Sequence, residues 1–574
     1  MEQVTLKIDG EEVKVDRGAT VLEAAEKIGI KIPTLCYHPA LEPEAGCRIC
    51  VVQLGDSSKL TAACATQVED NMEIKTKSKL AKDTRKTNLE LILANHPLKC
   101  TSCWRNLNCE LQELAHQMGV EESIYAGRKR ELPVDDSSAG ITREPEKCIH
   151  CGRCINVCSE IQSVDALGFL KRGFETEVGT PPGINLADSV CVQCGQCAAY
   201  CPVGAIYEST SINDVWEAIY DPQKHVIVQT APAVQVSLGE ELGASPGISV
   251  TGKMISSLRK LGFDRVFSTE FTADVVIMEE GHELLDRINK KGPLPLITSC
   301  SPGWIKFIEH FYPDLLDYVS TSKSPQQAFG ALAKSYYPGK KGIDPESVFV
   351  VSVMPCTAKK FEAKRPEMEN KGLRDVDAVL TTRELSRMIK EAGIDFWGLE
   401  EGVYDNPLGI QTGAATIFGA TGGVCEAALR TVYELVNEEE LPSMEFEPVR
   451  GLNGIKEANT KLGDMEVKVA VINGLKNART VLDELRNGRC EYDFIEIMAC
   501  PGGCIGGGGQ PIPSNKDVLE SRIKAIYQVD EKQTIRKSHE NPAVKELYRD
   551  FLEKPLGHKS HELLHTKYFE RNKL

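Results

Sequence analysis

Two thiols four residues apart, Cys500 and Cys504, stand in the run I-M-A-C-P-G-G-C-I-G-G-G-G-Q-P at residues 497–511. Thiolate sulfur is a soft ligand suited to iron–sulfur clusters, zinc and copper. The four glycines Gly506 to Gly509 remove every Cβ from successive positions. Such a run marks backbone that must approach something closely, because glycine is costly to order anywhere else. Two further segments carry a thiol: T-S-C-S-P-G-W at 298–304, with Cys300, and M-P-C-T-A-K-K-F-E at 354–362, with Cys356. Each follows an apolar run that reads as a buried strand. Thiols at strand ends in three separated segments can converge on one site, and strand ends are where open α/β sheets bind ligands.

The other cysteines crowd into residues 1–210. Cys36, Cys47, Cys50 and Cys64 form one set, with a C-x-x-C at its centre; His96, Cys100, Cys103 and Cys109 form a second. Either set alone suits zinc as well as an iron–sulfur cluster. Beyond them one signature occurs twice at identical spacing, as Cys148, Cys151, Cys154, Cys158 and as Cys191, Cys194, Cys197, Cys201 followed by Pro202. In two-cluster ferredoxins the fourth cysteine of each run serves the other cluster. The expected ligand sets are therefore Cys148, Cys151, Cys154 and Cys201 for one cube and Cys191, Cys194, Cys197 and Cys158 for the other.

Composition narrows the setting. The 574 residues hold 21 cysteines, carry a net charge of −16 and are 6% aromatic. That balance argues against a nucleic-acid surface and against an anionic membrane face. No apolar run approaches a bilayer span, and Met1-Glu2-Gln3-Val4 does not open a signal peptide, so a cytoplasmic protein is expected. There, thiols at this density read as metal ligands and not as a disulfide framework.

The elements that must position these groups can be read in order. Val4, Leu6 and Ile8 alternate, Asp9-Gly10 turns, and Val13 and Val15 alternate again, predicting a hairpin. Thr20 and Glu23 form a capping box that predicts a helix from Val21. Hairpin, helix and cysteine loop together resemble a plant-type 2Fe–2S ferredoxin of β-grasp architecture over residues 1–79. A helix over 80–95 leads into the set of one histidine and three cysteines, giving a second domain over 80–119. Following a 2Fe–2S domain, that set resembles the 4Fe–4S site in electron-input subunits of respiratory complex I. A polar connector and the doubled signature occupy 120–210, as a two-cluster 4Fe–4S domain. From residue 211 to 574 apolar runs at 225–228, 295–297, 348–353, 378–380, 469–472 and 494–498 alternate with helical patterns such as 382–392, which predicts an α/β catalytic region. The whole is thus a multidomain chain, α+β and then α/β.

The three segments at 298–304, 354–362 and 497–511, in that order, resemble the three signatures of FeFe-hydrogenases, and the cluster-rich N-terminal half resembles the accessory domains of the clostridial and the multimeric NAD(P)-linked types. The likeness covers essentially the whole chain. It implies an H-cluster, a 4Fe–4S cube joined through a cysteine to a two-iron subsite with CO, CN⁻ and a bridging dithiolate, interconverting protons, electrons and H2. By the same resemblance Cys356, Cys500 and Cys504 are cube ligands, Cys504 being the bridge, and Lys359 donates to a cyanide. Ala231, Pro232, Gln326, Met354, Phe418 and Met498 line the pocket, and Cys300, Glu280, Ser320, Glu283 and Arg287 carry protons to solvent. Without it, Met354 and Met498 read as core, and Glu280, Glu283 and Arg287 as an ion-pair stripe on one helix face.

One position departs from the family. Relatives commonly read T-S-C-C-P, where this chain has Cys300-Ser301. Pro302 and Trp304 keep their spacing from Cys300, so the loop is expected in register, with Cys300 the relay and Ser301 a weak oxygen ligand to the cube. Cys425 and Cys490 match no motif and are expected to be buried packing residues. The last 45 or so residues resemble the tail that some relatives carry as a separate small subunit; His561-Glu562-x-x-His565 has protease-like spacing but too few other ligands for a zinc site. Expected partners are ferredoxin and flavin-bearing NAD(P)H-linked subunits, with no nucleic acid and no membrane. The alternative is a non-catalytic iron–sulfur relay or assembly protein of the same fold.

Overall fold

Three strands that the apolar runs predict, with a fourth that they do not, Arg265–Ser268, make the first sheet of the catalytic half. In the computed structural model, which describes residues 2–121, 123–125, 127–463 and 465–571, strand His225–Thr230 lies between Arg265–Ser268 and Val348–Met354, and Ala378–Thr381 completes a four-stranded sheet whose pairings are all parallel. A second sheet runs Leu296–Ile297, Phe494–Met498, Met465–Asn473, Ile455–Leu462, and only its last pair is antiparallel. Strands such as Phe494–Met498 are buried along their whole length, as parallel strands covered on both faces must be.

The long helix Thr269–Lys290 and the helix Pro325–Ala333 pack on each other beside the first sheet. The hydrophobic core around that sheet includes Val228, Phe267, Phe329, Val351 and Leu380. One face of the second sheet packs Ala470, Ile472 and Ile495 against Trp304 and Phe307, and the same core takes in Val192, Val203 and Ile206 from the doubled cysteine domain. The cluster-bearing half is thereby packed into the catalytic half.

At the N-terminus the hairpin Gln3–Ile8 and Glu11–Asp16 forms with Asp9 and Gly10 at φ 50° and 91°. The Thr20–Glu23 capping box starts helix Val21–Lys27. The sheet has five strands, ordered Glu11–Asp16, Gln3–Ile8, Glu73–Lys75, Val51–Leu54, Leu60–Ala62. Helix Lys79–Asn95 follows, as the pattern predicts. Cys425 is fully buried, but Cys490 is only half-buried, because it lies in the exposed turn that precedes strand Phe494–Met498.

Candidate active site

Each of four strand ends delivers one part of a single cavity. Ala231 and Pro232 follow His225–Thr230; Cys300 and Ser301 follow Leu296–Ile297; Met354 ends its strand just before Cys356; Met498 ends its strand just before Cys500. Gln326 and Phe418 complete the wall with Lys359 and Cys504. Both methionines are 3% exposed and face the cavity.

Close backbone contact explains the glycine run. A Cβ on Gly507 would sit 2.1 Å from the Pro355 carbonyl oxygen, and one on Gly508 would sit 2.4 Å from that of Cys194. The loop is thus wedged between the Cys356 loop and the second ferredoxin-type run, and Cys194 itself lines the cavity. Gln196 Nε2 donates to the Gly506 carbonyl at 2.9 Å, Thr357 Oγ1 to that of Gln193 at 2.7 Å and Lys306 Nζ to that of Cys191 at 2.7 Å. The cysteine domain and the cavity are one packed unit.

Burial pushes the Cys356, Cys500 and Cys504 thiols up, Cys504 to about 12; the neighbouring thiols add to the shifts of Cys500 and Cys504, while the Lys359 charge draws Cys356 back down. A trio that resists carrying its charges unaided fits an iron cluster, whose cations supply the compensation. The dry, mostly apolar cavity also offers polar groups turned inward. Gln326 Oε1 is buried without a partner. Lys359 Nζ is held by Ser324 Oγ at 2.8 Å, Glu362 Oε2 at 2.8 Å and the Cys300 carbonyl at 3.1 Å. All three ammonium protons are therefore directed, and an anion in the cavity would be met by a fixed cation. Ser324 and Glu362 carry no signal of their own in the sequence, although Lys359 and Glu362 stand three apart on helix Ala358–Ala363.

Ser301 is in register with the cavity. Trp304, fully buried, donates through Nε1 to the Thr298 carbonyl at 3.0 Å and pins the loop. The Ser301 hydroxyl accepts from the Ala499 amide at 3.2 Å, next to Cys500. The Cys300 thiol is pushed well up by burial and then by the Glu280 charge.

Behind Cys300 lies a chain of buried oxygens. Ser299 Oγ and its amide reach Glu280 Oε1 at 3.3 and 3.4 Å, while Glu280 Oε2 is buried without a partner. Burial pushes Glu280 up to about 7. Ser320 Oγ donates to Glu283 Oε2 at 3.2 Å, and Arg287 Nη2 pairs with Glu283 Oε1 at 2.7 Å. Glu283 and Arg287 are 8% and 9% exposed, so this is no surface stripe. Arg287 also clamps the carbonyls of Pro293, Asp317, Tyr318 and Val319, which fixes the turn carrying Ser320.

The N-terminal thiols gather in separate sets. Cys148, Cys151, Cys154 and Cys201 line one cavity, and Cys158, Cys191, Cys194 and Cys197 another. His96, Cys100, Cys103 and Cys109 line a third, where His96 Nε2 is buried without a partner. Cys50 and Cys64 have their sulfurs 3.4 Å apart, and Cys36 lies beside Cys47. His565 has both ring nitrogens engaged, by Glu279 and Thr321, so the protease-like spacing carries no metal site.

Comparison with known proteins adds the family. A family model for the iron only hydrogenase large subunit, C-terminal domain, matches residues 224–508, and one for the iron hydrogenase small subunit matches 516–571. Models for a 2Fe-2S iron-sulfur cluster binding domain, the NADH-ubiquinone oxidoreductase-G iron-sulfur binding region and a 4Fe-4S dicluster domain match 1–79, 85–123 and 139–205. The chain is 50% identical to the NADP-reducing hydrogenase subunit HndD of Solidesulfovibrio fructosivorans, with 100% of each covered. It is 43% identical to iron hydrogenase 1 of Clostridium pasteurianum over 98% of this chain and 99% of that one. A solved FeFe-hydrogenase of Chlamydomonas reinhardtii is 44% identical with a TM-score of 0.58, over 63% of this chain and 99% of the other. With the cavity, its thiols and its charged groups in place, the chain belongs to the FeFe-hydrogenases and is an enzyme that interconverts protons, electrons and H2.

Proposed function

We propose that Cys356, Cys500 and Cys504 hold the cube of the H-cluster, that Ser301 supplies the fourth, oxygen contact, and that Cys300 stays a protonated relay. When bound, the H-cluster supplies the iron site at which electrons and protons combine. The chain's own residues do the rest. Lys359, fixed by Ser324 and Glu362, presents positive charge to the anionic ligands of that group; Ala231, Pro232, Met354, Phe418 and Met498 exclude water, and Gln326 orients. Cys300, Glu280, Ser320 and Glu283, with Arg287 at the outer end, pass protons between cavity and surface. The observation that carries this reading is the convergence of three buried thiols and a directed lysine on one apolar cavity backed by buried carboxylates.

Electrons enter along the N-terminal sets: a 2Fe–2S cluster on Cys36, Cys47, Cys50 and Cys64, a 4Fe–4S cluster on His96, Cys100, Cys103 and Cys109, and two cubes on the crossed cysteine sets. Cys194, which lines both its own cavity and the catalytic one, is the point of transfer. The donor is a flavin-bearing NADP(H)-linked partner subunit, with ferredoxin as a second donor, in the cytoplasm; the likeness to an NADP-reducing hydrogenase subunit over the whole chain supports this. Among the described residues no helix is long and apolar enough to cross a membrane.

Hydrogen evolution from a reduced viologen dye tests the catalytic reading. Cluster-loaded enzyme should evolve H2, and Cys356→Ala should lose both the activity and about six irons per chain, the four of the cube and the two of the subsite joined to it. Full activity in that variant would reject the ligand assignment. Native-host purification tests the partner: a lone polypeptide fully active with ferredoxin and indifferent to pyridine nucleotides would reject it.

A further inference from the structure

The C-terminal tail places a histidine against the outer end of the proton route. Residues 564–566 pair with 321–323: Lys323 donates its amide to the Leu564 carbonyl at 2.7 Å, and Thr566 to that of Thr321 at 2.8 Å. This pairing sets His565, whose side chain is 4% exposed, between two carboxylates of helix Thr269–Lys290. Its Nε2 lies 3.1 Å from Glu279 Oε2, and its Nδ1 lies 2.8 Å from Thr321 Oγ1. The same Thr321 hydroxyl stands 3.3 Å from Glu283 Oε2.

The proton inventory of this row admits two satisfied arrangements. Glu279 is held ionised: the hydrogen bonds from His565, Ser560 and Tyr548 outweigh the burial that would raise it. It takes the Tyr548 hydroxyl at 2.5 Å, the Ser560 hydroxyl and the Leu556 amide at 2.8 Å. It therefore needs a donor at His565 Nε2. The Thr321 hydroxyl has a single proton to give. If it donates to ionised Glu283, it must accept from His565 Nδ1, and the ring is an imidazolium. If it donates to Nδ1 of a neutral ring, Glu283 must carry the proton and donate to Thr321. The two arrangements hold the same number of protons: passing from the first to the second breaks the His565 Nδ1–H and Thr321 O–H bonds and forms a new Thr321 O–H bond and a Glu283 O–H bond.

We propose that His565 is a proton store for the hydrogenase, exchanging one proton with Glu283 through the Thr321 hydroxyl. The proposal rests on Glu283 belonging to the proton route. The groups facing the ring are Glu279, Glu283 and Arg287 from the long helix, and Tyr548, His558 and His561 from the tail, the His561 ring being 4.3 Å away, centroid to centroid. Lys323 beside it is neutralised by Asp375 at 2.7 Å. Two carboxylates thus stand on either side of one imidazole, Glu279 directly and Glu283 through Thr321. The tail is also the segment matched by the small-subunit family model, so the store is built from a part of the chain outside the three signatures.

The test uses the loaded, full-length enzyme. Thr321→Val should move the alkaline limb of dye-driven H2 evolution to lower pH, with several-fold slower turnover there and a larger solvent isotope effect. His565→Gln should show the same kinetic change. A Thr321→Val enzyme with a wild-type pH profile and isotope effect would overturn the proposal. Wild-type kinetics in Glu283→Gln would instead remove the proton route on which it stands, and the store with it.

Discussion

Arg153 and Glu110 meet in a two-pronged ion pair, with Nη1 to Oε1 at 2.7 Å and Nη2 to Oε2 at 2.8 Å. The arginine side chain is 5% exposed and sits between Cys151 and Cys154, while Glu110 follows Cys109. Arg153 Nη2 also reaches the Tyr37 carbonyl at 2.7 Å, and Nε that of Cys36 at 3.4 Å. One guanidinium therefore joins the loops of three cysteine-bearing sets. Arg153→Gln should loosen both input loops, at a cost of about 1–3 kcal/mol, and lower the potential of the 2Fe–2S site by removing a nearby positive charge. Electron paramagnetic resonance of that site would read both effects; Arg153→Lys should restore the potential and not the packing. An unchanged midpoint in Arg153→Gln would show that the charge is not felt.

Truncation distinguishes wire from chemistry. Removing residues 1–137 should spare dye-driven turnover and slow the ferredoxin-linked reaction. Removing residues 1–210 is a different cut, because Glu208 is 1% exposed and pairs with Arg383 at 2.5 Å and Arg387 at 2.8 Å. Losing that carboxylate leaves a buried guanidinium unpaired, a cost of about 3–5 kcal/mol. Thermal unfolding of both truncations reads the difference, and equal stability would contradict the packing described above.

The Cys300-Ser301 pair predicts opposite outcomes for two conservative changes. Cys300→Ser should keep the spectroscopic signal of the cube and lose most turnover, and Ser301→Cys should be tolerated. Loss of the cube signal in Cys300→Ser would make Cys300 the ligand.

Glu280 couples activity to stability. The folded protein holds its proton to about pH 7, against an ordinary value of 4.5. Between those values the folded state binds the proton and the unfolded state does not, so this group's contribution falls as pH rises and levels off above about 7. Glu280→Gln should thus abolish most turnover yet unfold at a higher temperature than wild type at pH 8, by up to roughly 3 kcal/mol, with the two converging near pH 5. A variant less stable than wild type at pH 8 would mean that the carboxylate is better accommodated than its burial implies.

Much of this is legible in the sequence because the signals are local. The Thr20–Glu23 capping box, the Asp9-Gly10 turn and the buried run 494–498 each state their own conformation within a few residues. The strand Ile455–Leu462 escapes such a reading, since its polar alternation belongs to an edge strand whose outer residues face water. So do the partners that make the site work. Ser324 meets Lys359 across 35 residues, and His565 meets Glu279 across 286. No spacing rule connects positions that only tertiary packing brings together.

The cavity of Cys356, Cys500 and Cys504 is proposed as the site of hydrogen chemistry at an iron centre carrying diatomic ligands. Infrared spectroscopy of the loaded enzyme tests it most directly. Stretching bands of iron-bound CO and CN⁻ should be present in wild type, absent in Cys504→Ala, and shifted in the cyanide region in Lys359→Met. An enzyme that turns over H2 with no such bands, or one whose bands survive intact in Cys504→Ala, would contradict the account.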